Sequence, residues 1–405
     1  MAASPSSARS APRPGRRRLA PIGLALAGGG PVGAVYEIGA LCALQDALDG
    51  IDFADLDVYV GVSSGALVGA LLANGFSVAQ LREILVDAAS AEYPVDQGLF
   101  LAPAIGELVR RAVMLPGLAL DALRQGLNGG LGGRGGLVSR FGRLLPSGMF
   151  DNEPLARFLE HAFGTNGHSN DFRRLGPRLR LVATDLDSSE TVAFGSAGHD
   201  RVPISRAVQA STALPGLYPP VRIDGHDYVD GALRKTMHAS VALHEGARLL
   251  FCINPIVPFD ARLALRHSHH RPRRLVEGGL STVLSQAFRT LIQSRMQVGM
   301  ARYRSEYKGA HVLLFEPPRD NPHLLFTNVF DDTTRHRVFE QAYRATLLDL
   351  STRKRALAPC LERHGISIRN SKLRAASAPR AQANSEVLQR LGGALDRLER
   401  WVERP

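Results

Sequence analysis

Cysteine is almost missing from this chain of 405 residues, which carries three: Cys42, Cys252 and Cys360, an odd and widely spaced set without a CxxC pair. That count argues against both a disulfide scaffold and a cysteine-based zinc site. Tryptophan occurs once and aromatics make up 6%. Lysine supplies only four of the 49 basic residues. No run of about 18 uncharged apolar residues occurs, so a transmembrane helix is not expected. What is present, 45% hydrophobic and 21% charged residues, is ordinary globular composition and argues against both full disorder and a collagen-like chain.

Positive charge is plentiful but unevenly placed. The formal net charge is +11, of which residues 1–18 contribute five Arg with no acid. Residues 369–405 hold eight basic and four acidic groups, and the run Arg266-His-Ser-His-His-Arg-Pro-Arg-Arg274 holds four Arg. The rest of the chain is close to neutral. Basic tails and one basic loop do not make a folded nucleic-acid-binding face, so no nucleic-acid partner is expected. They do suit a peripheral membrane surface, since a basic residue near anionic lipid gains about 1 kcal/mol. The segment Arg16–Ala27 imitates a signal peptide, yet it runs straight into Gly28-Gly29-Gly30 and is needed as the first core strand. The expected location is cytoplasmic, with the membrane as a peripheral partner.

The order of elements points to an α/β chain. Leu24–Ala27 is a short apolar run that stops at glycines, and Val35–Leu48 has helical spacing. Leu56–Val60 ends at a second glycine turn, followed by the small-residue helix Ala66–Ala73. Strand, glycine turn and helix, repeated within the first 75 residues, argue for a mostly parallel sheet with helices on both faces. Residues 1–20 read as a disordered basic leader, 21–240 as the main α/β domain and 241–368 as its C-terminal part. Within the second unit, residues 98–150 read as a flexible apolar and glycine-rich insertion, whose stretch near Leu99–Leu120 suits a channel lining or a lid as well as it suits a packed helical hairpin. Long helices are expected at roughly 276–308 and at Asp331–Asp349. Residues 369–405 read as a linker and an amphipathic tail helix, with Val387, Leu388, Leu391, Leu395, Leu398 and Val402 at helical spacing.

Two glycine motifs carry chemistry. Gly28-Gly29-Gly30-Pro31-Val32-Gly33 satisfies G-x-G-x-x-G between a strand and a helix, with Asp52 about twenty residues on. That is the fingerprint of a dinucleotide-binding turn, which keeps an oxidoreductase reading open. The same free amides at a helix start also suit an oxyanion. Gly61-Val62-Ser63-Ser64-Gly65 matches G-x-S-x-G, the nucleophile elbow, in the strand-to-helix context that motif requires. Its central residue is Ser63. Thirteen histidines are available for a triad-type esterase, but none lies in a pattern that marks a catalytic loop. The outstanding acid is Asp230, in Tyr228-Val-Asp-Gly-Ala232 at the end of a short strand.

Taken together, the stretches GGGPVG (28–33), GVSSGA (61–66) and QASTALPGLYPPVRIDGHDYVDGAL (209–233) resemble the patatin-like phospholipase family in order and spacing. Ala183-Thr-Asp-Leu186, before Glu190-Thr-Val-Ala-Phe194, is similar as well. The resemblance covers roughly residues 22–240. It implies a three-layer α/β/α fold and a Ser–Asp dyad acting on acyl esters of phospholipids, lysophospholipids or acylglycerols, with no metal and no organic cofactor. By that resemblance Ser63 is the nucleophile and Asp230 its base. Gly28, Gly29 and Gly30 supply the oxyanion hole, and Gly33, Gly61, Gly65 and Gly231 support the motifs. Two stretches depart from the family's pattern. Pro31-Val32 stands where Arg or Lys often occurs, and Leu233-Arg-Lys-Thr-Met237 follows the Asp-Gly-Ala motif where Asn and Pro are common.

Overall fold

The computed structural model describes residues 20–95, 98–104, 147–165, 167–267, 274–320 and 332–377. The expectations for residues 1–19, for 105–146 of the insertion and for the tail helix after 377 lie outside the described residues.

Eight strands make the central sheet: β1 (Ile22–Leu26), β2 (Val58–Val62), β3 (Arg178–Asp185), β4 (Thr191–Phe194), β5 (Val221–Ile223), β6 (His226–Asp230), β7 (Leu249–Ile253) and β8 (His311–Phe315). Their order is β8-β7-β1-β2-β3-β6-β5, with β4 also on β3. The five strands from β8 to β3 run parallel, whereas β4, β5 and β6 form antiparallel pairs at the far edge. Parallel strands buried on both faces read as continuous apolar runs, and β1, β2 and β7 are buried at every position.

The helices that shape the site are α1 (Gly30–Ala47), α2 (Ser64–Ala73), α3 (Glu153–Gly164), α4 (Ile204–Ser211), α5 (Ala239–His244), α6 (Gly279–Glu306) and α7 (Asp332–Arg363). Alternation along β1 divides the core into two layers. Leu24 and Leu26 pack with Leu41, Leu44 and Leu71 of α1 and α2, while Ala25 meets the layer that holds Met296, Met300 and Tyr303 of α6. Helices therefore cover both faces of the sheet, giving the three layers expected. Two helix bounds differ from the sequence reading. Helix α1 begins at Gly30, five residues early, because Pro31 is tolerated in a first turn whose N–H groups have no internal acceptor. Helix α7 runs on to Arg363, past Pro359, held by buried Leu357, Cys360 and Leu361.

The register of three adjacent strands fixes the geometry that matters. Val62, the last residue of β2, pairs with Val182 of β3, and the next β3 residue, Ala183, pairs with Asp230 of β6. The residue after Val62 is Ser63. Two positions 167 apart in sequence thus arrive at the same level of the sheet, one on each side of β3.

Candidate active site

Ser63 sits where β2 breaks off and α2 begins, at φ 54° and ψ −124°. A non-glycine residue held in the left-handed half of the map costs on the order of 1–3 kcal/mol and persists only where the surroundings impose it. Here the imposition is steric. A Cβ on Gly61 would lie 2.4 Å from the Gly65 carbonyl oxygen, and one on Gly65 would lie 2.6 Å from the Leu26 backbone. Only glycines at both positions let the turn fold onto β1, and the turn then lifts the Ser63 side chain out of the strand.

The elbow also deprives Ser63 of its place in the ladder. Its N–H donates to Ser211 Oγ at 3.0 Å, and the Ser211 hydroxyl donates to the Val182 carbonyl at 2.6 Å. Ser211, the last residue of α4, is a relay that replaces one direct strand–strand bond. Ser211→Ala should leave a buried donor and a buried acceptor unmatched, at a cost of about 1–3 kcal/mol. Thermal or urea unfolding should show that loss.

Across β3, Asp230 is almost fully buried, at 2% exposure. Its carboxyl accepts from the Ala232 N–H at 2.8 Å, and the Ser63 hydroxyl lies near enough to favour its ionised form. Burial pushes its pKa up from 3.8 to about 6, and the neighbouring Ser63 hydroxyl and Ala232 N–H only partly offset that rise. Asp230 N–H donates to Ala213 O at 2.9 Å, and Gly231 packs so closely on β3 that a Cβ there would lie 2.4 Å from Val182 O. The turn after β6 is thereby clamped from both sides. Among the described residues, no histidine is recorded on Asp230. His226 Nδ1 lies 2.9 Å from Asp185 Oδ2, and buried His238 places Nε2 3.4 Å from the Gly231 carbonyl, with its pKa lowered to about 4 by burial.

The glycine run passes directly over Ser63. A Cβ on Gly28 would stand 3.0 Å from Ser63 Cβ and 3.7 Å from its Oγ. The Gly28 N–H, however, donates to Thr236 O at 3.2 Å. Of the three glycines expected to present amides, Gly28 therefore brings the loop close while its own donor is engaged. Gly29 is the N-cap of α1 and Gly30 its first residue, at φ 62°, in the turn whose N–H groups lack helical acceptors. Gly33 lies against Ser64 Oγ and Pro255. Both departures from the family pattern find a place here. Pro31 occupies the first helical turn, and the Leu233–Met237 segment supplies, through Thr236, the carbonyl that fixes the glycine loop.

An apolar cavity of about 90 Å³ opens beside Ser63, lined by Leu67, Leu99, Phe100, Leu155, Leu214 and Leu217, among others. Leu99 and Phe100 come from the start of the expected insertion, and Tyr218 ties it down by donating to Phe100 O at 2.7 Å. The dinucleotide reading fits this arrangement poorly. In such folds the ribose-binding acid stands at the carboxyl ends of the strands. Asp52 instead caps an exposed turn ahead of β2, accepting from Ala54 N–H at 3.0 Å. Among the described residues, no group of three or more His, Cys, Asp or Glu side chains could hold a metal ion. Sequence reasoning missed Ser211 and Thr236. Ser211 lies inside the quoted Gln-Ala-Ser-Thr stretch, but nothing local marks it as the partner of a residue 148 positions away.

Comparison with known proteins bears on the whole arrangement. Residues 24–243 match the family model of patatin, described as patatin-like phospholipase. Among solved structures, VipD from Legionella pneumophila is 15% identical, with a TM-score of 0.37, covering 82% of this chain and 66% of that one. The type III effector protein ExoU is 14% identical, with a TM-score of 0.33, covering 94% of this chain and 64% of that one. A further match is full-length ExoU from Pseudomonas aeruginosa in complex with SpcU, at 15% identity and a TM-score of 0.28, covering 82% of this chain and 53% of that one. The chain spans less than two thirds of the length of these three structures.

Proposed function

From the premise that this chain belongs to the patatin-like phospholipase family, we propose that it is a serine lipid acyl hydrolase, cleaving carboxylic esters of phospholipids, lysophospholipids or acylglycerols through Ser63 and Asp230. The observation that carries the reading is a strained serine brought by the strand register beside a buried carboxyl with a pKa near 6. A carboxylate at its usual pKa is too weak a base for a hydroxyl. Desolvation strengthens it without an intervening imidazole.

Asp230 takes the Ser63 proton as Oγ forms a bond to the ester carbonyl carbon. The carbonyl oxygen becomes an oxyanion, which the N–H groups of Gly29 and Gly30 at the α1 N-terminus receive. Collapse breaks the ester C–O bond, and protonated Asp230 gives its proton to the departing alcohol or lysolipid. Water then attacks the acyl-serine, again losing a proton to Asp230, and the fatty acid leaves as Ser63 Oγ is reprotonated. The cavity beside Ser63 is apolar and suits the acyl chain next to the scissile bond. Every step uses groups on this chain, so the reading calls for no cofactor.

The test is hydrolysis of a panel of acyl esters by the purified protein, with Ser63→Ala as control. Turnover of lipid esters that disappears in the variant supports the reading; no turnover of any ester would overturn it. A separate expectation concerns the loop. A Cβ on Gly29 would meet Pro255 Cγ at 2.6 Å and Gly33 Cα at 2.7 Å, so Gly29→Ala must displace the turn. Losing one oxyanion donor costs on the order of 10²–10³ in rate. Steady-state kinetics should place that loss in kcat, with KM little changed.

A further inference from the structure

Helix α6 turns the wrong residues outward. Its inward face buries Ile292, Met296, Met300 and Tyr303. On the outer face Leu280 is 74% exposed, Leu284 58%, Leu291 63% and Val298 68%. At roughly 100° per residue these four fall within an arc of about 40°, in a stripe some 27 Å long. Single exposed leucines are ordinary; a continuous stripe opposite the core face is not.

The charges beside the stripe all have one sign until the last turn. From Gly279 to Ser305 the helix contains no acidic residue; Arg302 falls in the same arc as the leucines and Arg295 about 20° beyond it. Where the stripe ends, a cleft of about 460 Å³ opens between α6 and the Arg234–His244 segment, lined by Arg234, Lys235, Arg295 and Arg302 among others. The one acid in that lining, Glu306, is engaged with Arg302 at 2.5 Å. The cleft is therefore net positive. Its position ties it to the chemistry. Gln286 Nε2 donates to Phe259 O at 2.8 Å and Arg289 donates to Val257 O at 3.3 Å. Both carbonyls belong to the segment that leaves β7, at the end of the sheet where Ser63 stands. The leucine half of the stripe flanks that end.

We infer that the outer face of α6 and the adjoining basic cleft form a docking surface for an anionic lipid bilayer, with the leucines entering the acyl boundary and the cleft receiving lipid phosphate. The occupant follows from charge and extent. The same face of a second copy would offer Arg295 and Arg302 no acidic partner, since the helix carries none from Gly279 to Ser305. A bilayer offers both an apolar layer and acidic headgroups over the full stripe. Docked in this way, the protein would bring its ester-cleaving end to the interface. The choice of a membrane rests on the lipid-hydrolase reading, whereas the exposed stripe and the positive cleft do not.

The full-length protein should sediment with vesicles of phosphatidylcholine and phosphatidylglycerol, and weakly with phosphatidylcholine alone. Leu284→Ser combined with Leu291→Ser should weaken binding to the anionic vesicles by at least about tenfold, since both remove apolar surface that would enter the acyl boundary. Arg234→Gln combined with Lys235→Gln should remove the preference for phosphatidylglycerol. The leucine variant should hydrolyse a soluble short-chain ester at the unsubstituted rate and keep its Tm. Vesicle binding unchanged by the leucine substitutions, or absent from the unsubstituted protein, would overturn the proposal. A Tm several degrees lower without vesicles would mean that the stripe is already covered within the chain, and a changed sedimentation coefficient would assign it to a second copy. Either result overturns it too. Leucine-dependent vesicle binding without hydrolysis of any ester would leave the docking surface standing and defeat the catalytic reading.

Discussion

Replacing Ser63 with alanine should abolish ester hydrolysis and covalent labelling by a fluorophosphonate while leaving the fold intact. The expected loss is on the order of 10⁵–10⁶ in kcat, because a nucleophile and its base act as one unit. The fold should survive for specific reasons. The Ser63 N–H bond to Ser211 Oγ is a backbone interaction that alanine keeps. The turn geometry is set by Gly61 and Gly65, not by the hydroxyl. Alanine at φ 54° bears nearly the same strain as serine. Ser64 cannot take over. Its Oγ is buried without a hydrogen-bond partner and faces Gly33, on the α1 side of the elbow. Labelling of the Ser63→Ala protein at Ser64, read by mass spectrometry of the tryptic peptide, would overturn this assignment.

The parts of the site that were legible in the sequence are those whose meaning is local. A G-x-S-x-G turn between a strand and a helix specifies its own steric problem, so Ser63, Gly61 and Gly65 could be named from spacing. Asp230 stands out as an acid closing a short strand, but an Asp-Gly pair is commonly just a turn, and its role as base came only from the resemblance to the family. What spacing could not give is the meeting of the two. That depends on β3 lying between β2 and β6, with Val182 and Ala183 facing successive residues of the two motifs. The relay through Ser211 and the Thr236 carbonyl that occupies Gly28 are tertiary in the same sense, and neither residue type is unusual where it stands. The bounds of α1 and α7 were hidden for a different reason. Glycine and proline at the start of α1 have poor helix propensity. Beyond Asp349 the apolar residues of α7 thin out to those that touch the core.

Asp230→Asn should nearly match Ser63→Ala in lost activity and, unlike it, should make the protein more stable at neutral pH. Asparagine is close to isosteric and its Oδ1 can still accept from the Ala232 N–H, so the turn is retained. The variant cannot accept a proton, however, and turnover should fall by several orders of magnitude. The stability gain follows from linkage. The Asp230 carboxyl titrates at about 6 in the folded chain against an ordinary 3.8, because burial disfavours its charge. A carboxyl with a raised folded pKa favours the folded state below its unfolded pKa, and that advantage is lost as pH rises through the folded pKa. At 1.36 kcal/mol per pH unit, the interval corresponds to about 3 kcal/mol of destabilisation at neutral pH, which asparagine removes. The stability difference between variant and unsubstituted protein should therefore grow between pH 4 and pH 6 and flatten above it. Denaturant unfolding across that range would measure it. The same titration sets the activity profile: kcat/KM of the unsubstituted enzyme should fall about tenfold per pH unit below roughly 6 as Asp230 becomes protonated. A profile whose acid limb disappears in His238→Ala would assign the base to an imidazole. An Asp230→Asn protein that is less stable than its parent at pH 7 would show that the charge, and not merely the shape, of this carboxylate holds the turn together.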